Sequence, residues 1–196
     1  MMSWMKCCVF PLVLLCMWQL QEGAHACRCF PVHPQMAFCQ SDVVIRAKVV
    51  AKKAGGGIFN VKYDIKPITT IKGPKKLFYT LYTASNTAAC GVTLTLGVEY
   101  FIKGQMRSDG SLHVSSCNYP VPWKRSHKIL AERYLMGCDC KITRCDSVPC
   151  EISGPTECLW TDQLMAVKVE QDKQCACIKK SDGSCAWYQE AASPKK

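Results

Sequence analysis

The chain has 196 residues, and sixteen of them are cysteine, about 8%, near the density of a disulfide scaffold in a short secreted chain. Hydrophobic residues make up 48%, aromatic residues 9% and charged residues 20%, which excludes a disordered, collagen-like or coiled-coil chain. Lys and Arg outnumber Asp and Glu by 25 to 15, a net charge of +10, and no apolar run reaches the roughly 18 residues of a membrane span.

In chain order, residues 1–26 read as an export signal. Lys6 supplies the positive start, Cys7 to Trp18 the apolar stretch, and Ala24-His25-Ala26 the small-residue cleavage site. Cleavage after Ala26 makes Cys27 the first residue of a protein secreted to the extracellular space or matrix, where disulfides persist. Thirteen cysteines remain after Cys7, Cys8 and Cys16 are removed. An odd count leaves a free thiol or an intermolecular bridge, and spacing alone does not give the connectivity.

Val43 to Val50 places Ile45, Ala47 and Val49 on one face and Arg46 and Lys48 on the other. Val61 to Lys72 alternates more strictly, Leu77 to Tyr82 is aromatic and apolar, and Val92 to Ile102 forms an unbroken period-two row. Leu112 and Val114 mark one more short strand, with turns at Gly55-Gly56-Gly57 and Ser108-Asp109-Gly110-Ser111. This patterning predicts a closed or nearly closed all-β unit of five or six strands. An oligonucleotide/oligosaccharide-binding (OB) type barrel fits, although strand count alone does not separate it from a sandwich. After Pro122 the period becomes helical, with Trp123, His127, Leu130 and Tyr134 leading to a stop at Gly137.

Cysteine and charge divide the chain together. Residues 27–138 carry six cysteines in 112 residues and a charge of +11; residues 139–196 carry seven in 58 and a charge of −1. The first segment is long enough for a hydrophobic core, and the second is small enough to need staples, so two domains are expected. The second reads as a small disulfide-rich β subdomain in which Ser181-Asp182-Gly183-Ser184 is another turn.

The chemistry of an enzyme is missing. There is no HExxH, no GxSxG and no Gly-rich phosphate loop, and His33, His113 and His127 are widely separated. Cys138-x-Cys140 and Cys145-x4-Cys150 admit structural zinc, but disulfides suit an exported chain better. The cation excess points to an acidic matrix polysaccharide such as heparan sulfate rather than nucleic acid, with Arg46, Lys48, Lys52, Lys53, Lys62, Lys66, Lys72, Lys75 and Lys76 as candidates. A charged face that only keeps the protein soluble is the alternative.

Cys27-Arg28-Cys29, Pro31-Val32-His33-Pro34-Gln35, Ala37-Phe38-Cys39 and Val44-Ile45-Arg46-Ala47-Lys48 resemble the tissue inhibitors of metalloproteinases. The likeness continues through Ile71-Lys72-Gly73, Cys90-Gly91-Val92, Cys117-Asn118-Tyr119, Gly137 to Cys145, Glu157 to Asp162, Ala176 to Lys179 and Cys185 to Tyr188. The resemblance implies a mainly β fold: a netrin-like five-stranded OB-type barrel with packed helices over 27–138, then a disulfide-rich β subdomain over 139–196. It implies the bridges Cys27–Cys90, Cys29–Cys117, Cys39–Cys138, Cys140–Cys185, Cys145–Cys150 and Cys158–Cys177, with Cys175 unpaired.

The resemblance further implies inhibition of matrix metalloproteinases without turnover and without a cofactor of its own. Cys27, Arg28, Cys29, Phe30, Pro31, Ala88, Ala89 and Cys90 would contact the protease, and the Cys27 amine and carbonyl would ligate the target's zinc. Three positions depart from the family pattern. Arg28 replaces the usual Thr or Ser, Ala89 replaces the usual Val, and the segment Lys52 to Asn60 is short. The chain ends at Ala191 to Lys196, without the acidic tail that some members use to bind latent gelatinase. A matrix-binding or signalling module on the same scaffold, its inhibition weakened by Arg28, is the alternative function.

Overall fold

The computed structural model describes residues 27–55, 60–118, 120–164 and 171–189. The expected signal at 1–26, most of the glycine turn at 55–57, Tyr119 and the tail at 190–196 lie outside the described residues.

Five strands close into a barrel. β1 (Val43–Ala54), β2 (Asn60–Lys72), β3 (Thr80–Ala84), β4 (Glu99–Met106) and β5 (Leu112–His113) run in the order β1-β2-β3-β5-β4, and an additional β1–β4 pairing completes the circle. β3 and β5 are parallel and meet at Tyr82 and His113; the other barrel pairs are antiparallel. A short β6 (Val121–Pro122) extends the sheet beyond β4.

Alternation in β1 and β2 sends Ile45, Ala47, Val49, Tyr63 and Ile65 into the barrel, where they meet Leu81, Ile102 and Leu112. Val43, Val44 and Ile45 are all buried because β1 is covered on both faces: Val43 and Ile45 line the barrel, and Val44 lies under helices. Those helices are α1 (Pro34–Cys39) and α2 (Arg125–Met136). Gly137 ends α2, as its position after the last periodic residue predicts, and its N–H donates to Tyr134 O. Phe38, Phe101, Ala131 and Tyr134 pack between barrel and helices, and Ala176 of the second segment joins them.

Two sequence expectations change. Val92 to Ile102 is not one strand: β4 begins only at Glu99. The stretch before it folds across a barrel end, with Leu94 buried and Gly97 at φ +81° turning the chain. Side-chain hydroxyls satisfy its first half, with Val92 N–H donating to Thr83 Oγ1 (3.0 Å), Leu94 N–H to Tyr63 Oη (3.2 Å) and Thr95 N–H to Tyr100 Oη (3.1 Å), and only Gly97 and Val98 bond to β1, at Val49. The expected strand at Leu77 to Tyr82 starts later, at Thr80, and Leu77 and Tyr79 face solvent.

The second segment holds two small sheets. β7 (Lys141–Arg144) pairs in parallel with β8 (Glu157–Trp160). After a single helical turn, α3 (Gln171–Gln174), β9 (Cys175–Lys179) pairs antiparallel with β10 (Cys185–Gln189). Cys140, Cys158 and Cys177 form the centre of this unit, covered by Ile142 and Trp187. Both SDGS tetrapeptides are turns of one design. Asp109 Oδ1 accepts from Ser111 N–H and Oγ, Asp182 Oδ1 does the same for Ser184, and Gly110 and Gly183 take positive φ.

Candidate functional site

Residues 27–32 run along the outside of the barrel as an extended segment tied down twice. Cys27 is bonded to Cys90 (Cα–Cα 5.0 Å) and Cys29 to Cys117 (5.2 Å). The two bridges lie side by side, with Cys27 Sγ 3.8 Å from Cys29 Sγ, 3.9 Å from Cys117 Sγ and 3.5 Å from Ser116 Oγ. The four sulfurs are close enough together for a metal, but each is already in an S–S bond and none is a thiolate. Cysteine therefore serves here as a staple.

The stapled segment turns its side chains outward. Phe30 is 88% exposed, and Arg28, Pro31 and Val32 are exposed as well. Arg28 has no ion pair or hydrogen bond among the described residues. It is the only charged side chain in either 27–35 or 85–91. A ridge that is otherwise neutral and partly apolar thus carries one cation with no internal counter-charge.

The second strip of the site is Ser85 to Cys90. β3 ends at Ala84, and a single 3-10 turn over Thr87–Ala89 follows. Asn86 caps that turn by accepting from Ala89 N–H at 2.8 Å, and Cys90 closes it in the left-handed region at φ 60°. Gly91 is required behind it. A Cβ there would lie 2.2 Å from Ala84 O and 2.7 Å from Asn86 O, both backbone atoms. Ser116 N–H donates to Cys90 O (2.8 Å), so the 116–118 turn holds the same corner. Ala88 and Ala89 are exposed on it. The structure thereby brings Cys27, Arg28, Cys29, Phe30, Pro31, Ala88, Ala89 and Cys90 onto one side of the barrel through the Cys27–Cys90 link.

Behind the ridge lies a polar network that neither spacing nor periodicity signals. His33 N-caps α1, its Nδ1 accepting from Gln35 N–H (3.2 Å), with Pro34 at the first helical position. Its Nε2 therefore carries the proton and donates to Gln171 O (3.1 Å). The ring is buried between Trp160 and Trp187, at centroid distances of 5.4 and 5.1 Å. Burial pushes its pKa from the ordinary 6.5 down to about 4, so it is neutral. Gln35 is fully buried, and its Nε2 donates to Gly137 O (3.1 Å) and Cys177 O (2.6 Å). The Pro34 after His33 was the one sequence signal available for this cap.

The remaining bridges are Cys39–Cys138, Cys140–Cys185, Cys145–Cys150 and Cys158–Cys177. The pairs weighed as structural zinc ligands, Cys138 with Cys140 and Cys145 with Cys150, are thus in disulfides. Cys175 is a free, buried thiol, and burial raises its pKa, which keeps it protonated and inert.

A closed β barrel that presents a doubly stapled, solvent-facing segment is a scaffold for protein recognition. The chain matches the family described as "Tissue inhibitor of metalloproteinase" over residues 25–187. It is 48% identical over 198 residues to metalloproteinase inhibitor 2 of Cavia porcellus and to that of Homo sapiens, each alignment covering 93% of this chain and 90% of the relative. To metalloproteinase inhibitor 2 of Gallus gallus it is 46% identical over 188 residues, covering 88% of this chain and 86% of the relative. The chain belongs to the tissue inhibitor of metalloproteinase family. The relatives it matches are named as inhibitors, not as enzymes. No helix among the described residues is long and apolar enough to cross a membrane.

Proposed function

We propose that this protein is a secreted inhibitor of matrix metalloproteinases, released by cleavage after Ala26, and that it acts by chelating the target's catalytic zinc. A protease zinc keeps an open coordination position that is filled by water. The α-amine and carbonyl oxygen of Cys27 can close a five-membered chelate at such a position and displace that water. The amine must be neutral to bind, and its unperturbed pKa of roughly 7.7 to 8.0 makes deprotonation inexpensive near neutral pH.

The observation that carries this reading is the double staple. Bridges at Cys27 and Cys29 hold the terminus before any partner arrives, so little ordering entropy is lost on binding. Residues 27–31 then occupy the protease cleft as an uncleavable strand, and Ala88 to Cys90 form a second contact. The zinc belongs to the target; the inhibitor needs no cofactor of its own. Residues 27–138 form the inhibitory unit, and 139–196 a supporting subdomain.

Titration of an active metalloproteinase with protein beginning at Cys27, and with protein carrying one alanine before Cys27, tests the mechanism. Inhibition is expected from the first and its loss from the second. Equal potency would reject chelation. A second reading keeps the scaffold for matrix binding while Arg28 weakens inhibition; the cation excess of the barrel favours it. Heparin retention without inhibition across a metalloproteinase panel would select it.

A further inference from the structure

The two bridges of the ridge lie close enough to exchange partners. Cys27 Sγ is 3.8 Å from Cys29 Sγ, and Cys90 Sγ is 3.9 Å from Cys117 Sγ, although neither pair is bonded. All four sulfurs lie within 4.8 Å of one another, and all four cysteines are only half-buried. Cys27 and Cys29 stand two residues apart in an extended segment, so their side chains leave it on the same side. Arg28 lies between them, and a cation beside a cysteine favours its thiolate form. The bridges are also what ties the segment down: among the described residues, no hydrogen bond joins the backbone of 27–32 to the barrel.

We propose that Cys27, Cys29, Cys90 and Cys117 form a thiol–disulfide exchange site, which takes a low-molecular-weight thiol and rearranges to the pairs Cys27–Cys29 and Cys90–Cys117. The external thiolate attacks Cys117 Sγ and forms a mixed disulfide with it. The Cys29–Cys117 bond breaks, and its electron pair leaves on Cys29 Sγ, beside Arg28. A thiol whose thiolate is stabilised in this way is the better leaving group. The Cys29 thiolate then attacks Cys27 Sγ, forming Cys27–Cys29 and expelling the Cys90 thiolate. That thiolate attacks Cys117 Sγ in its mixed disulfide, forming Cys90–Cys117 and returning the external thiolate. Each bond broken is matched by one formed, nothing is oxidised or reduced overall, and the external thiol acts as a catalyst.

The bridges that span 63 and 88 residues of sequence are thereby replaced by one within the segment and one within the barrel. Residues 27–32 regain their chain freedom, and the terminus is no longer held in place for a target's metal. Inhibition is switched off while the number of disulfides stays the same. Cys175, the free thiol, is buried and lies outside the cluster, so the trigger comes from solution. The loss of inhibition rests on the proposed zinc chelation; the exchange itself does not.

Protein beginning at Cys27 is incubated with reduced glutathione in the absence of oxygen and quenched with acid, and its bridges are mapped by mass spectrometry. The pairs Cys27–Cys29 and Cys90–Cys117 are expected, with the other bridges kept and the denatured protein still titrating one thiol, Cys175. Native bridges alone, the crossed pairs Cys27–Cys117 and Cys29–Cys90, or a thiol count that rises without the new pairs would overturn the site. Cys175→Ser is expected to rearrange as the wild type does, and a failure to do so would overturn the external trigger. Arg28→Gln is expected to rearrange roughly threefold more slowly, and an equal rate would overturn the part assigned to Arg28. The native and rearranged isomers are then separated and titrated against an active metalloproteinase. The rearranged isomer is expected to inhibit roughly a hundredfold more weakly, and equal inhibition by both would overturn release of the ridge. Absence of inhibition by the native isomer would instead reject chelation and leave the mapped exchange standing.

Discussion

Gln35 and Cys177 exchange two hydrogen bonds across 142 residues of sequence. Gln35 Nε2 donates to Cys177 O (2.6 Å), and Cys177 N–H donates to Gln35 Oε1 (2.8 Å). A side-chain amide thus stands in for a strand neighbour on β9 and ties the helix behind the ridge to the C-terminal segment. Gly137 lets the two approach: a Cβ there would lie 1.8 Å from Cys177 O.

Replacing Gln35 by leucine keeps the volume but leaves buried backbone donors and acceptors of Cys177 and Gly137 without partners. Each such group costs about 1 to 3 kcal/mol. A loss of about 3 kcal/mol is expected in urea unfolding with the disulfides intact.

His33 makes stability depend on pH. Its folded-state pKa, about 4, lies below its ordinary 6.5, chiefly through burial; the nearby Asp162 carboxylate opposes the shift and the Lys103 ammonium adds to it. Stability from the neutral ring is therefore full above pH 6.5 and is lost as pH falls from 6.5 toward 4. At about 1.4 kcal/mol per pH unit, the loss reaches about 3 kcal/mol. His113 and His127 are shifted in the same direction, so the comparison must be differential. The unfolding free energy of His33→Gln is expected to fall less between pH 7 and pH 4.5 than that of the wild type.

Gly91→Ala tests the support of the second strip. The added methyl meets the backbone oxygens of Ala84 and Asn86, so the 87–90 turn must move. A destabilisation of about 1 to 3 kcal/mol and weaker inhibition are expected. Gly154→Ala, whose Cβ would meet nothing within 4 Å, is expected to change neither.

Arg28 sets the target range under the proposed mechanism. Its guanidinium follows the chelating residue directly and has no ion-pair partner among the described residues. An apolar pocket would have to bury it unpaired, at a cost of several kcal/mol. Arg28→Thr is expected to tighten inhibition of metalloproteinases with apolar pockets roughly tenfold or more. Unchanged inhibition constants would mean that the side chain bends out of the cleft.

Much of the barrel was legible because its physics is local. Ile45, Ala47 and Val49 against Arg46 and Lys48, or Tyr63 and Ile65 against Lys62 and Lys66, show which face is buried without knowledge of any partner. The same rule misread Val92 to Val98, where the alternation is real but Leu94 joins the barrel core and the hydroxyls of Thr83, Tyr63 and Tyr100 take the N–H groups of Val92, Leu94 and Thr95 in place of a strand ladder. The role of Gln35 was out of reach, since its partners come from residues 137 and 177. Arg28 stood out in the sequence, and the fold adds that the cation is held on a ridge with no counter-charge.

Under the proposed mechanism the α-amine of Cys27, freed by cleavage after Ala26, ligates the target's metal, and that ligation can be observed directly. A metalloproteinase catalytic domain with cobalt in place of zinc reports the ligands of its metal in its visible d–d spectrum. Saturating it with protein beginning at Cys27 is expected to shift that spectrum as nitrogen and oxygen replace water, and the N-acetylated protein is expected to leave it unchanged. Undiminished inhibition by the acetylated protein, or identical spectra with and without the acetyl group, would contradict chelation.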